Sequence, residues 1–156
     1  AQALQQQQQR LGAAHGEAAA TTDHQRIEPT MDLLAPLPDA RTVSTPAATM
    51  RTMTSPTTGP EMPAAIWRTD LAADTPGPEH AIDGDQFLVV VAGTVEVRID
   101  GHDHRVAEGD GIKLPAGSRR VIVAADGIPA STITFGQPEA RATVGEGEPV
   151  LVPWTV

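Results

Sequence analysis

Between Pro76 and Gly117 the chain reads PGPEHAIDGDQFLVVVAGTVEVRIDGHDHRVAEGDGIKLPAG, a succession of short apolar runs, each stopped by glycine. Phe87 to Ala92 is an unbroken apolar run. After Gly93-Thr94, Val95, Val97 and Ile99 alternate with Glu96 and Arg98, the period of two that marks a strand with one buried face. The spacing predicts a β-hairpin across Gly93-Thr94. A second turn is expected at Asp100-Gly101, because glycine takes the positive φ of a tight reversal. His104 and Val106 then alternate into Glu108-Gly109-Asp110, and Ile112 and Leu114 lead to Pro115-Ala116-Gly117. Four short strands so closely spaced restrict the chain to an all-β sandwich or barrel.

The order of His80, Gln86, Gly93, Asp100-Gly101, Gly109-Asp110 and Pro115-Ala116-Gly117 resembles the two motifs of the cupin superfamily, which are small jelly-roll β-barrels. The resemblance implies a cupin β-barrel domain over residues 42–156, behind an N-terminal extension, helical or disordered, over residues 1–41. In the family the first motif carries a His-x-His pair and a Glu, and the second ends in a further His; these are metal ligands. Aligned on the glycines, His80 falls on the first His, Ile82 on the second, Gln86 on the Glu and Arg120 on the last His. Isoleucine has no lone pair, arginine stays protonated, and a glutamine carbonyl is a weak neutral ligand. The expectation is therefore a barrel without a metal or other cofactor. Two other arrangements stay open: a shifted site drawing on His80 with Glu79, Asp83 or Asp85, and the pair His102 and His104.

The remaining chain is read around this barrel. Residues 1–30 are rich in alanine and glutamine, with only Leu4 and Leu11 at a heptad interval, too little for a coiled-coil seam. Met31 is an alternative start. Thr42 to Ser44 and Thr49 to Thr54 have the β-branched and polar mix of edge strands, and Met62 to Arg68 is a further strand candidate. Arg119 to Ala124 alternates with Arg120 and Ile122 on one face, Asp126-Gly127 turns the chain, and Ser131 to Phe135 gives another strand. Residues 136–148 read as a polar connection before the apolar Val150 to Val152.

Composition narrows the chemistry. There is no cysteine, which removes disulfides, thiolate metal sites and cysteine nucleophiles. The formal net charge of −9 argues against nucleic acid and anionic membranes, which call for clustered basic surface. No apolar run spans a membrane and no basic-then-apolar leader is visible, so the default location is cytoplasmic. Gln86, Leu88 and Val90 share one face of their strand, and Phe87, Val89 and Val91 the other. Both faces are apolar, which implies a covering layer on each and supports a homodimer.

A barrel of this kind holds its ligand at the mouth, among alternate strand residues. The expected small-molecule site has His80, Gln86 and Arg120 as catalytic groups and Ile82, Leu88, Val90, Ile122 and Trp67 as substrate-binding wall. Arg120 offers a permanent cation for a carboxylate, enolate or polarised carbonyl. His80 can move a proton, and Gln86 can fix a polar group. The leading expectation is a metal-independent isomerase, cyclase or lyase acting on a hydrophobic carbonyl- or acid-bearing molecule, in a setting such as natural-product biosynthesis. A non-catalytic binding or sensing protein and a metal-dependent dioxygenase with unconventional ligands are the alternatives.

Overall fold

A computed structural model describes residues 33–156; the expectations for Leu4, Leu11 and Met31 lie outside them. After a 3₁₀ turn at Leu37–Asp39 come twelve strands: β1 (Arg41–Ser44), β2 (Ala48–Thr54), β3 (Ala65–Leu71), β4 (His80–Ile82), β5 (Gln86–Ala92), β6 (Thr94–Ile99), β7 (His102–Ala107), β8 (Gly111–Leu114), β9 (Arg119–Ala124), β10 (Ala130–Gly136), β11 (Arg141–Val144) and β12 (Val150–Leu151), before a last 3₁₀ turn at Pro153–Thr155. They form two six-stranded sheets, ordered β1-β2-β3-β10-β5-β8 and β12-β11-β4-β9-β6-β7. The ladders pair antiparallel. This is the all-β, jelly-roll type of barrel that the glycine framework implied. Among the described residues no helix is long and apolar enough to cross a membrane.

The alternation seen in the sequence sets what is inside. Val95 and Val97 of β6 are fully buried while Glu96 and Arg98 are exposed. With Leu88, Val90, Val106 and Leu114 they close one end of the space between the sheets as solid core. The other end is bordered by Met50, Ala65 and Trp67 on one side and by Ile82, Ala140 and Val152 on the other. Asp100-Gly101 turns β6 into β7 as expected, both residues at positive φ, with Ile99 opposite His102.

Three expectations are corrected. Gly93 is not the tip of a hairpin: β5 pairs with β10 and β8, whereas β6 pairs with β7 and β9 in the other sheet. Gly93, at φ 75, sits so close to Pro129 and Ala130 that a Cβ would meet the Pro129 carbonyl oxygen at 2.9 Å, and the chain changes sheets at this corner. The stretch Thr49 to Thr54 belongs to an internal strand, β2, because β1 covers its free edge. The connection after residue 136 contains β11, which pairs with β4 and β12; with four residues flanked by glycine and charge, its strand character comes from its neighbours.

Candidate functional site

Between the sheets, beside the solid core, lies a cavity of about 250 Å³. Its wall is mostly apolar, and His80, Ile82, Gln86, Leu88, Ile122 and Trp67 all line it. The wall also includes residues that no motif singles out. Thr132 and Thr134 face inward from β10, while Ile133 and Phe135 face outward, so the polar residues of that strand meet the cavity. Ala142 and Val144 come from β11, and Val152 and Trp154 from the C-terminal segment. Period-two alternation flags Thr132 and Thr134 as sharing a face but does not say which face is inside.

Two expected site residues do not line the cavity. Val90 is fully buried in the solid end of the barrel, packed with Val95, Val97 and Leu114. Arg120 is also fully buried, behind Gln86. Its Nε donates to the Ser118 carbonyl at 3.3 Å, and Nη2 donates to the Pro115 carbonyl at 2.8 Å and to the Ser118 carbonyl and Oγ at 3.3 and 3.2 Å. Nη1 donates to Gln86 Oε1 at 3.1 Å. The Pro115-Ala116-Gly117 turn therefore wraps a guanidinium. It is tied down by the Gly117 amide on the Ile82 carbonyl at 2.7 Å and by the Ala116 amide on Asp85 Oδ1 at 2.8 Å. Every acceptor that Arg120 reaches is neutral. Asp100 and Asp85 act on it only through space, and burial pulls its pKa below the usual guanidinium value.

His80 stands opposite Arg120 across the β4–β9 ladder. Its Nδ1 lies 2.9 Å from the Pro78 carbonyl oxygen. A carbonyl only accepts, so Nδ1 carries the hydrogen and the Nε2 lone pair of neutral His80 is left over. Burial pulls the His80 pKa below its ordinary 6.5; the Pro78 hydrogen bond opposes this, and the Arg120 charge adds to it. The imidazole is thus held neutral at pH 7.

The cupin pattern implies a metal, and the residues here do not fit one. Of the four positions, Ile82 offers a hydrocarbon and Arg120 a buried cation, while the Gln86 oxygen is already bonded to that cation. The carboxylates weighed for a shifted site have other work. Asp83 accepts from the Arg141 amide and Gln137, Asp85 pairs with Lys113, and Glu79 pairs with Arg119. His102 and His104 are exposed on β7, with His102 turned to the Asp100 carbonyl. Among the described residues no three His, Cys, Asp or Glu side chains converge.

Comparison with known proteins agrees with this architecture. Residues 67–136 match the family model described as Cupin domain. A solved structure of a Photorhabdus luminescens protein superposes with a TM-score of 0.56 at 18% identity, covering 64% of this chain and 82% of that one. Salicylate 1,2-dioxygenase from Pseudoaminobacter salicylatoxidans, solved as adducts with gentisate, superposes with a TM-score of 0.58 at 20% identity, covering 69% of this chain. The chain spans 31% of that enzyme's length. A comparison with curated proteins found no match. At such identities the likeness is one of fold.

Proposed function

We propose that this member of the cupin superfamily binds a mostly apolar, carbonyl-bearing small molecule in its barrel and moves a proton on it without a metal, as an isomerase, cyclase or lyase does. The observation that carries the reading is His80: an imidazole on the wall of a mostly apolar cavity, its Nδ1 hydrogen committed to Pro78. In such a site Nε2 takes a proton from the carbon next to the carbonyl, which is general-base catalysis. Gln86 holds the carbonyl oxygen. Arg120 is a positioning residue in this scheme: it orients Gln86 and places a fixed positive charge behind it, which favours the enolate that forms when the proton leaves. Returning the proton to another carbon completes an isomerisation; expelling a leaving group completes an elimination.

Deuterium exchange tests this without knowledge of the natural substrate. Acetophenone and α-hydroxyacetophenone are incubated with the full chain in D2O, and deuterium at the carbon next to the carbonyl is read by mass spectrometry. The wild type is expected to accelerate exchange, and His80→Gln to lose the acceleration by about a hundredfold or more, the usual share of a positioned base. Binding without exchange would establish instead a non-catalytic binding or sensing protein. The enclosure of Arg120 by protein acceptors favours that second reading, because it leaves the cation out of direct reach of a ligand.

The same proposal includes a second copy of the chain as partner. On the outer face of the first sheet Phe87 and Phe135 are cross-strand neighbours, 46% and 41% exposed, with Val91 farther along β5 at 39%. A twofold partner presenting the same face would bury apolar surface on both sides.

A further inference from the structure

Gln86 and His80 each have a neighbour that can play only one hydrogen-bonding role, and those neighbours fix what the two side chains show the cavity. A guanidinium only donates, so the Gln86 amide atom 3.1 Å from Arg120 Nη1 is its oxygen. The Gln86 NH2 is left over, with no hydrogen-bond partner among the described residues, on a side chain that lines the cavity. The Pro78 carbonyl only accepts, so neutral His80, also a wall residue, keeps its lone pair at Nε2. Arg120 relates the two: its side chain is bonded to Gln86, and its Cα is paired with that of His80 across the β4–β9 ladder. The rest of the nearby wall, Ile82, Leu88, Ile122 and Trp67, offers no competing carboxylate or ammonium.

We infer that the cavity selects molecules carrying a hydrogen-bond acceptor and a donor side by side, a carbonyl oxygen for the Gln86 NH2 and a neighbouring hydroxyl or N–H for His80 Nε2. Hydroxyketones, enolised dicarbonyls and lactams have this pattern. Simple ketones lack the donor, and an ether next to the carbonyl sets a lone pair against the lone pair of Nε2. The inference rests on the reading of the cavity as a ligand site and narrows it from carbonyl compounds in general to this paired class, in which Nε2 accepts from the hydroxyl or N–H in the bound complex and takes a carbon-bound proton only once that bond is released. A site built for a donor discriminates against the analogue lacking it, because its own buried polar group is then left unpaired.

The test is calorimetric binding of three probes to the full chain at pH 7.5: α-hydroxyacetophenone, its methyl ether, and acetophenone. The hydroxyketone is expected to bind at least tenfold more tightly than either of the others. In Gln86→Glu the carboxylate pairs with Arg120 and turns an acceptor to the cavity, so that variant is expected to bind a fourth probe, 1-phenylethane-1,2-diol, more tightly than the hydroxyketone, the reverse of the wild type. Should that variant fail to fold, the Gln86 side-chain NH2 resonance of the wild type serves instead, and it is expected to shift with the hydroxyketone. Equal binding of all three probes overturns the paired selection while leaving the ligand site standing. Binding of none overturns both.

Discussion

Arg120 is a permanent cation at full burial whose hydrogen-bond partners are all neutral. Alignment alone made it a ligand-binding group, since its residue type and strand face were legible and its enclosure was not. Replacing it with leucine removes the cost of a buried charge but strands the Gln86, Pro115 and Ser118 oxygens, and orphaned acceptors cost ~1–3 kcal/mol each. Arg120→Leu is therefore expected to lose about 3 kcal/mol of stability overall, read from the midpoint of a urea titration. An unchanged midpoint would show that the turn does not depend on the guanidinium. His80 gives a prediction with a definite sign. Its folded pKa is below the unfolded 6.5, so as pH falls below 6.5 the unfolded chain takes up its proton first and stability declines until the folded pKa is reached. The charged groups around it are Arg120 across the ladder and the Arg119–Glu79 pair next to it in both strands. The His80 ring signal in an NMR titration is expected to inflect below 6.5, and His80→Gln is expected to flatten the stability profile just under that pH. An inflection above 6.5 would contradict the half-buried, neutral imidazole.

At the scale of elements, turn chemistry was legible where the turn is self-contained and misleading where it is not. Asp100-Gly101 closes β6 onto β7 with nothing against Gly101, so sequence suffices. Gly93 has the same signature, yet it serves a corner between sheets, because Pro129 and Ala130 occupy the space beside it. Gly93→Ala is expected to cost at least ~1–2 kcal/mol from the left-handed backbone alone, with further loss from the contact to the Pro129 carbonyl; thermal unfolding measures it. Gly101→Ala bears only the backbone part, so a larger loss there than at Gly93 would contradict the corner. Strand β10 shows the limit of periodicity. Both of its faces alternate cleanly, and hydrophobicity would bury Ile133 and Phe135, but β3 and β5 on either side put Thr132 and Thr134 on the cavity side.

For the whole molecule, the outward face of β10 and β5 bears on assembly. Sedimentation velocity is expected to find the wild type dimeric and the double variant Phe87→Ser, Phe135→Ser monomeric with its probe binding retained; a monomeric wild type would remove the second copy from the proposal. The amino-acid sequence by itself determined the class of fold, because glycines at fixed places stop short alternating runs and leave few architectures open. It also determined that the positions where cupins carry metal ligands hold His80, Ile82, Gln86 and Arg120, since residue identity needs no coordinates. Tertiary structure alone decided which sheet each strand joins, that β11 forms at all, that the Pro115 turn closes on Arg120, and hence which atoms of Gln86 and His80 are left without a partner among the described residues. The reason is physical. Local pattern fixes dihedral angles and faces, whereas pairing between distant strands, and the orientation of an amide or imidazole, depend on partners far away in the chain.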